Sequence, residues 1–116
     1  MTTPVLDLAF AALSDPTRRE IVQRLAKGDA RVTDLAQPFD MSLNSVSKHI
    51  RLLERAGLVR RRIAGREHYL TFDPRPLDDA SAWIERQRTA WSKRLDALEA
   101  ALHAEDAINR ARRNKR

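Results

Sequence analysis

Over residues 42–59 the apolar Val46, Ile50 and Leu53 stand at i, i+4 and i+7, which stacks them on one face of a helix. The opposite face offers Asn44, Ser45, Ser47, Lys48, Arg51 and Arg55: amides, hydroxyls and cations. Ser42 suits an N-cap and Gly57 a C-terminal stop, and Leu58-Val59 beyond it is β-prone. Upstream, Leu6, Phe10 and Leu13 predict a helix over 5–13 that ends at Ser14. Asp15-Pro16 then opens a second helix, with Asp15 as N-cap and Pro16 at N1, where its missing amide costs nothing. Ile21, Val22 and Leu25 form the buried stripe of that helix, and Gly28 stops it. After polar Asp29-Ala30-Arg31, Thr33 is expected to cap a short helix carrying Leu35, Ala36 and Phe39, shortened by Pro38.

The period then changes. Residues 58–63 and 67–72 are β-rich, with alternation clearest at His68, Leu70 and Phe72, and Ala64-Gly65-Arg66 supplies the turn between them. Asp73-Pro74 repeats the Asp15-Pro16 signal, and Pro76 still falls within a first turn. Leu77, Ala80, Ile84, Trp91, Leu95, Leu98 and Leu102 follow, mostly in steps of three and four, predicting a last helix over about 74–104. About thirty residues at 1.5 Å each give roughly 45 Å, longer than so small a domain can cover. The excess stripe, with Trp83 and Trp91, is expected to meet a second copy of the chain through the first and last helices. Leu6, Phe10, Trp83, Ile84, Trp91, Leu95, Leu98 and Leu102 are the candidate interface residues. Burial of the tryptophans in the chain's own core is the alternative.

The predicted order is therefore α-α-α-α-β-β-α, a mainly helical chain with one small hairpin. A short helix, the turn Asp40-Met41 and the Ser42 helix have the spacing of a helix-turn-helix, and a hairpin directly after its second helix is a wing. Arg60, Arg61, Arg62 and Arg66 cluster on that wing, where they could hold a phosphate backbone or enter a minor groove. Each piece has a plainer reading, since polar helix faces are commonly just solvated and edge strands favour arginine. Their adjacency is what points to nucleic acid.

At 116 residues the chain is the size of one domain. Residues 1–108 are expected to form it, last helix included, and 109–116 to be a basic disordered tail. The total charge of +6 is unevenly placed. Residues 42–66 carry seven basic side chains against the single Glu54, and the last ten residues add Arg110, Arg112, Arg113, Lys115 and Arg116, which leaves −5 for the rest. An acidic body with a basic patch and tail fits a polyanion binder. The chain has no cysteine, which removes disulfides, thiolate metal sites and cysteine nucleophiles. It shows no leader pattern and no run near the ~20 apolar residues of a membrane span, so a cytoplasmic location is expected.

In a double helix, Ser42, Leu43, Asn44, Ser47 and Lys48 would face bases: Asn44 an adenine, Lys48 a guanine and Leu43 a thymine methyl. Arg51, Arg55 and the wing arginines would hold phosphates. A sequence-blind architectural or RNA-binding role, held by tail and wing, is the competing reading. An enzyme is not expected. His49 lies near Ser45 and Ser47, but on a basic helix with no implied pocket and no orienting acid except Glu54.

The run Ala12-Leu13-Ser14-Asp15-Pro16-Thr17-Arg18-Arg19-Glu20-Ile21, then Asp34-Leu35-Ala36, then the segment from Ser45 to Val59, resembles the ArsR-type family of bacterial winged helix-turn-helix repressors. The likeness is close from Val5 to about Phe72 and looser over the last helix. It implies a homodimeric, palindrome-binding repressor, often controlling its own operon and relieved by a small effector. Metal sensors of the family commonly carry cysteines on the short helix, or carboxylates and histidines on the last one. Residues 33–39 hold neither cysteine nor histidine, and Asp78, Asp79, His103 and Glu105 lack a second histidine. The pattern Trp83, Trp91 and Arg94-Leu95-Asp96-Ala97-Leu98-Glu99 resembles a branch of the family without the metal sites: no cofactor is expected, and no effector can be named.

Overall fold

The computed structural model describes residues 4–114. Its elements run α1 (Pro4–Leu13), α2 (Pro16–Ala26), β1 (Ala30–Arg31), α3 (Val32–Ala36), α4 (Leu43–Arg55), β2 (Val59–Ala64), β3 (Glu67–Phe72) and α5 (Arg75–Asn114). Residues up to Ser81 form one compact unit, and the run of α5 from Ala82 onward forms a second.

Two of the predicted helix starts are built as expected. The Asp15 Oδ2 accepts a hydrogen bond from Arg18 N at 3.0 Å with Pro16 in the first turn, and Ser42 Oγ accepts from Ser45 N at 3.1 Å. The end of α4 is a Schellman motif, with Gly57 N–H bonded to Glu54 O and Leu58 N–H to Leu53 O, each at 3.0 Å. Gly57 sits at φ 76°, which a side chain would strain, and its added Cβ would meet Pro76 Cγ at 3.5 Å. Leu58 thus belongs to this stop, and β2 begins one residue later than the pattern suggested.

Other starts differ. Helix α3 begins at Val32 behind Arg31, which makes no side-chain cap, so Thr33 lies inside the helix and caps nothing. The helix ends at Ala36, one residue before Gln37-Pro38, so Phe39 lies beyond it. Helix α5 begins at Arg75 because Pro74 O takes the first helical hydrogen bond, from Asp78 N at 3.1 Å. Asp73 acts from one position further out, accepting from Arg75 N at 3.0 Å. The helix then continues to Asn114, past both the expected end near 104 and the start of the expected tail at 109. Alanines 104, 107 and 111 and a mixture of acidic and basic residues carry the helix on. Lys115 and Arg116 lie outside the described residues.

The sheet has three antiparallel strands in the order β1-β3-β2. The hairpin register runs from Val59 opposite Phe72 to Ala64 opposite Glu67, across a two-residue turn whose first residue, Gly65, has φ 64°. The third strand is an addition to the predicted pair: Ala30 and Arg31 pair with Leu70 and Tyr69. Ile21, Val46, Ile50, Leu53, Leu58 and Leu70 are fully enclosed, so α2, α4 and the sheet share one core. No buried side-chain polar atom among the described residues lacks a hydrogen-bond partner.

Candidate nucleic-acid interface

The core fixes which side of α4 faces outward. With Val46, Ile50 and Leu53 at 0% exposure, Leu43, Asn44, Lys48, Arg51 and Arg55 must point to solvent, and Ser47 is half-buried beside them. Leu43, the first residue of the helix, is 52% exposed on this side. Ser42 and Ser45 are mutually engaged, Ser42 Oγ donating to Ser45 Oγ at 3.0 Å, so these two hydroxyls serve the helix start first.

The four wing arginines do not form one cluster. Arg61 turns back toward α4 and grips Glu54 with two bonds, Nη2 to Oε1 at 2.7 Å and Nε to Oε2 at 3.3 Å. Its Nη1 lies 2.9 Å from His68 Nδ1. This is a brace between the recognition-type helix and the hairpin, and the charge count alone gave Arg61 a different role. Arg60 and Arg62 share the sheet face opposite Arg61: Arg60 reaches Asp73 at 3.0 Å at the base of the hairpin, and Arg62 stacks over the Tyr69 ring at 4.7 Å. Arg66 stands exposed in the turn. With Arg31, Val32, Thr33, Arg61, Glu67 and His68 it lines a groove of about 380 Å³.

Arg31, absent from the sequence-based candidates, bridges Asp34 at 2.9 Å and Glu67 at 2.9 Å, tying α3 to the hairpin. Those two carboxylates hold its guanidinium protonated well above its ordinary range. Glu67 is pulled below the usual carboxylate range by the Tyr69 hydroxyl and then by Arg31. The hydrogen bond to Glu67, followed by partial burial, pushes the Tyr69 hydroxyl up.

The other side of α4 is pinned by Arg18, a second residue that helical periodicity did not mark. Its Nε donates to Ala12 O at 2.6 Å and its Nη2 to Ala11 O at 3.1 Å, closing α1, while its Nη1 lies 3.2 Å from His49 Nδ1. His49 thus packs against the start of α2, with Asp15 Oδ2 at 3.8 Å, and holds two helices together. Partial burial would raise the Asp15 carboxyl. The Arg18 N–H and the charges of His49 and Arg18 outweigh it and hold the group below its ordinary value.

Among the candidate interface residues, Leu6 is buried within its own chain at 6% exposure and leaves the set. Phe10 is 39% exposed, Trp83 is half-buried, and Ile84, Trp91, Leu95, Leu98 and Leu102 are 43–58% exposed. His103 lies 4.0 Å from Glu99, one turn back on an exposed face, and among the described residues no three histidines or carboxylates converge as metal ligands. No helix among these residues is long and apolar enough to cross a membrane.

The sequence pattern of a helix-turn-helix domain matches residues 13–62. The HTH-type transcriptional regulator Rv2034 of Mycobacterium tuberculosis is 37% identical over 95 residues, covering 78% of this chain and 89% of that protein. The transcriptional repressor SdpR of Bacillus subtilis is 35% identical over 75 residues, covering 65% and 83% respectively. An ArsR-like transcriptional regulator from Rhodococcus superposes with a TM-score of 0.72 at 34% identity, over 81% of this chain and 89% of its own. A crystal structure of another ArsR family regulator gives a TM-score of 0.73 at 41% identity, over 76% and 97%. With its helix-turn-helix, wing and long last helix, the chain belongs to the ArsR-type family of winged helix-turn-helix, DNA-binding transcriptional regulators.

Proposed function

We propose that two copies of the chain pair and act in the cytoplasm as a homodimeric repressor that reads a palindromic operator in its own or an adjacent operon. The observation that carries the pairing is the exposed seam of α5. Ile84, Trp91 and Leu98 recur every seven residues, and Leu95 and Leu102 follow the last two of them by four, the 3.5 spacing at which two helices share a seam. Large apolar side chains at about half exposure over five turns cost free energy until something covers them. A symmetric second copy supplies the same stripe, with Trp83 on the same helix, and the partly exposed Phe10 of α1 is a further candidate contact. The repressor named among the relatives supports the direction of regulation.

In this reading each copy places α4 in a major groove, at sites one helical turn apart. Leu43, Asn44, Ser47 and Lys48 meet base edges, with Ser42 and Ser45 at the helix start, and Arg51, Arg55, Arg62 and Arg66 meet phosphates. Arg61 and Arg60 serve the surface indirectly by fixing the hairpin to Glu54 and Asp73. Binding-site selection on random duplexes tests it. A recovered inverted repeat found upstream of the chain's own coding region is expected. Equal affinity for the selected and a scrambled duplex at the same salt contradicts it and favours sequence-blind binding.

A further inference from the structure

A second concave surface lies away from the base-reading side of α4. It is a cleft of about 430 Å³ bounded by α1, the last turn of α4, β2 and the first turns of α5. That volume falls within the range of small-ligand sites, about 300–1,000 Å³. One wall is apolar: Val5 and Leu8, 46% and 38% exposed, with Pro76. At 100° per residue these two lie on the side of α1 away from Phe10, so pairing of copies through Phe10 leaves the wall open.

Arg55, Arg60 and Arg75 line the rest of the cleft. The Asp73 carboxylate, only 10% exposed, is shared between Arg75 Nη2 at 2.7 Å and Arg60 Nη2 at 3.0 Å. One buried anion between two guanidiniums leaves a net positive charge. Both arginines keep unused N–H groups on side chains that are 63% and 70% exposed, because a guanidinium carries five donors. Glu54, also at the cleft, is already held by Arg61. Asp79 at the rim is the remaining acid, and it limits the charge a ligand can bring. Apolar wall, surplus guanidinium donors and one opposing carboxylate together describe a partner with an apolar body and a single negative charge.

We propose that this cleft binds a small organic monocarboxylate with an alkyl or aromatic body, and that this ligand is an effector. The cleft touches Arg55 on the helix assigned to DNA and the opening turns of the helix assigned to pairing. A ligand seated there favours whichever arrangement of these elements it fits better. Ligand binding stands independently of the DNA reading, and only its regulatory consequence rests on that reading.

The test uses the full chain without DNA, titrated calorimetrically with benzoate and octanoate, with benzamide and benzylamine as neutral and cationic controls. Saturable binding of one carboxylate per chain is expected, with both controls weaker by about tenfold or more, the scale of a charge-assisted hydrogen bond. Arg75→Gln is expected to weaken benzoate by a similar factor, and Leu8→Trp, which fills the cleft from the exposed side of α1, to abolish it. The site is overturned if neither carboxylate saturates by about 10 mM. It is equally overturned if benzamide matches benzoate, or if folded Leu8→Trp binds as the parent does. A duplex titration with and without the bound carboxylate then reads the effector claim: a shifted Kd supports it, and an unchanged Kd overturns the regulatory half alone.

Discussion

Helix α4 encloses all three of its periodic apolar residues, whereas α5 beyond Ser81 leaves six large apolar residues, from Ile84 to Ile108, between 43 and 58% exposed. The two helices are amphipathic for different reasons. On α4 the apolar face is repaid inside the chain, so the polar face is free to meet an external partner. On α5 the apolar face is itself the part left unpaid. The contrast separates a polar surface set outward by the core from an apolar one left exposed, which we assign to DNA and to a second copy respectively, and substitutions on each should move different observables.

The largest effect belongs to the seam. Leu98→Glu is expected to abolish self-association in sedimentation and to weaken operator binding by about 100-fold or more, because the second reading head is no longer tethered. Its unfolding midpoint at high dilution, where the parent is also monomeric, should stay near the parent's. Ile50→Ala should do the reverse, lowering folding stability by about 2–5 kcal/mol in urea while leaving association of the folded fraction intact. Asn44→Ala touches neither core nor seam. It should remove about 1–3 kcal/mol of discrimination between operator and a singly substituted duplex, read by competition binding.

Smaller effects sharpen the α4 side of the contrast. Asp15→Ala should cost about 1 kcal/mol through the lost N-cap. The folded-state pKa of Asp15 lies below its ordinary value, so this contribution is fully present above the usual carboxylate range and disappears as pH falls through the depressed value. Acid titration of parent and variant should therefore converge at low pH. Arg66→Ala should weaken binding to all duplexes alike and flatten the salt slope by about one unit. Arg61→Ala should also loosen the hairpin in hydrogen exchange, since its partner is Glu54 rather than solvent.

These differences mark what the sequence could disclose. Periodicity and caps found α2, α4 and β3 because each is specified by residues within itself: Asp15 and Ser42 bond to amides three residues on, and Leu70 alternates with its own neighbours. Strand β1 escaped because two residues carry no period, and Ala30-Arg31 is a strand only through pairing with residues nearly forty positions away. Residue type alone suggests a cap at Thr33, while α3 starts at Val32, directly after β1. The polar face of α4 was legible as a set, since burying three residues decides where the others point. The wing is legible as a charge count, but the pairing of Arg61 with Glu54 is not, because a partner seven residues back across a turn leaves no local signal. Arg18 and Arg31 were invisible for the same reason: each joins elements far apart in sequence.

The central claim is that one helix reads DNA because another brings in a second reading head. Sedimentation of the chain on an inverted-repeat duplex with half-sites one turn apart tests it most directly. The account predicts two chains per duplex for the parent and loss of that complex in Leu98→Glu at the same concentration. One chain per duplex for the parent, or an unchanged complex in Leu98→Glu, would contradict it.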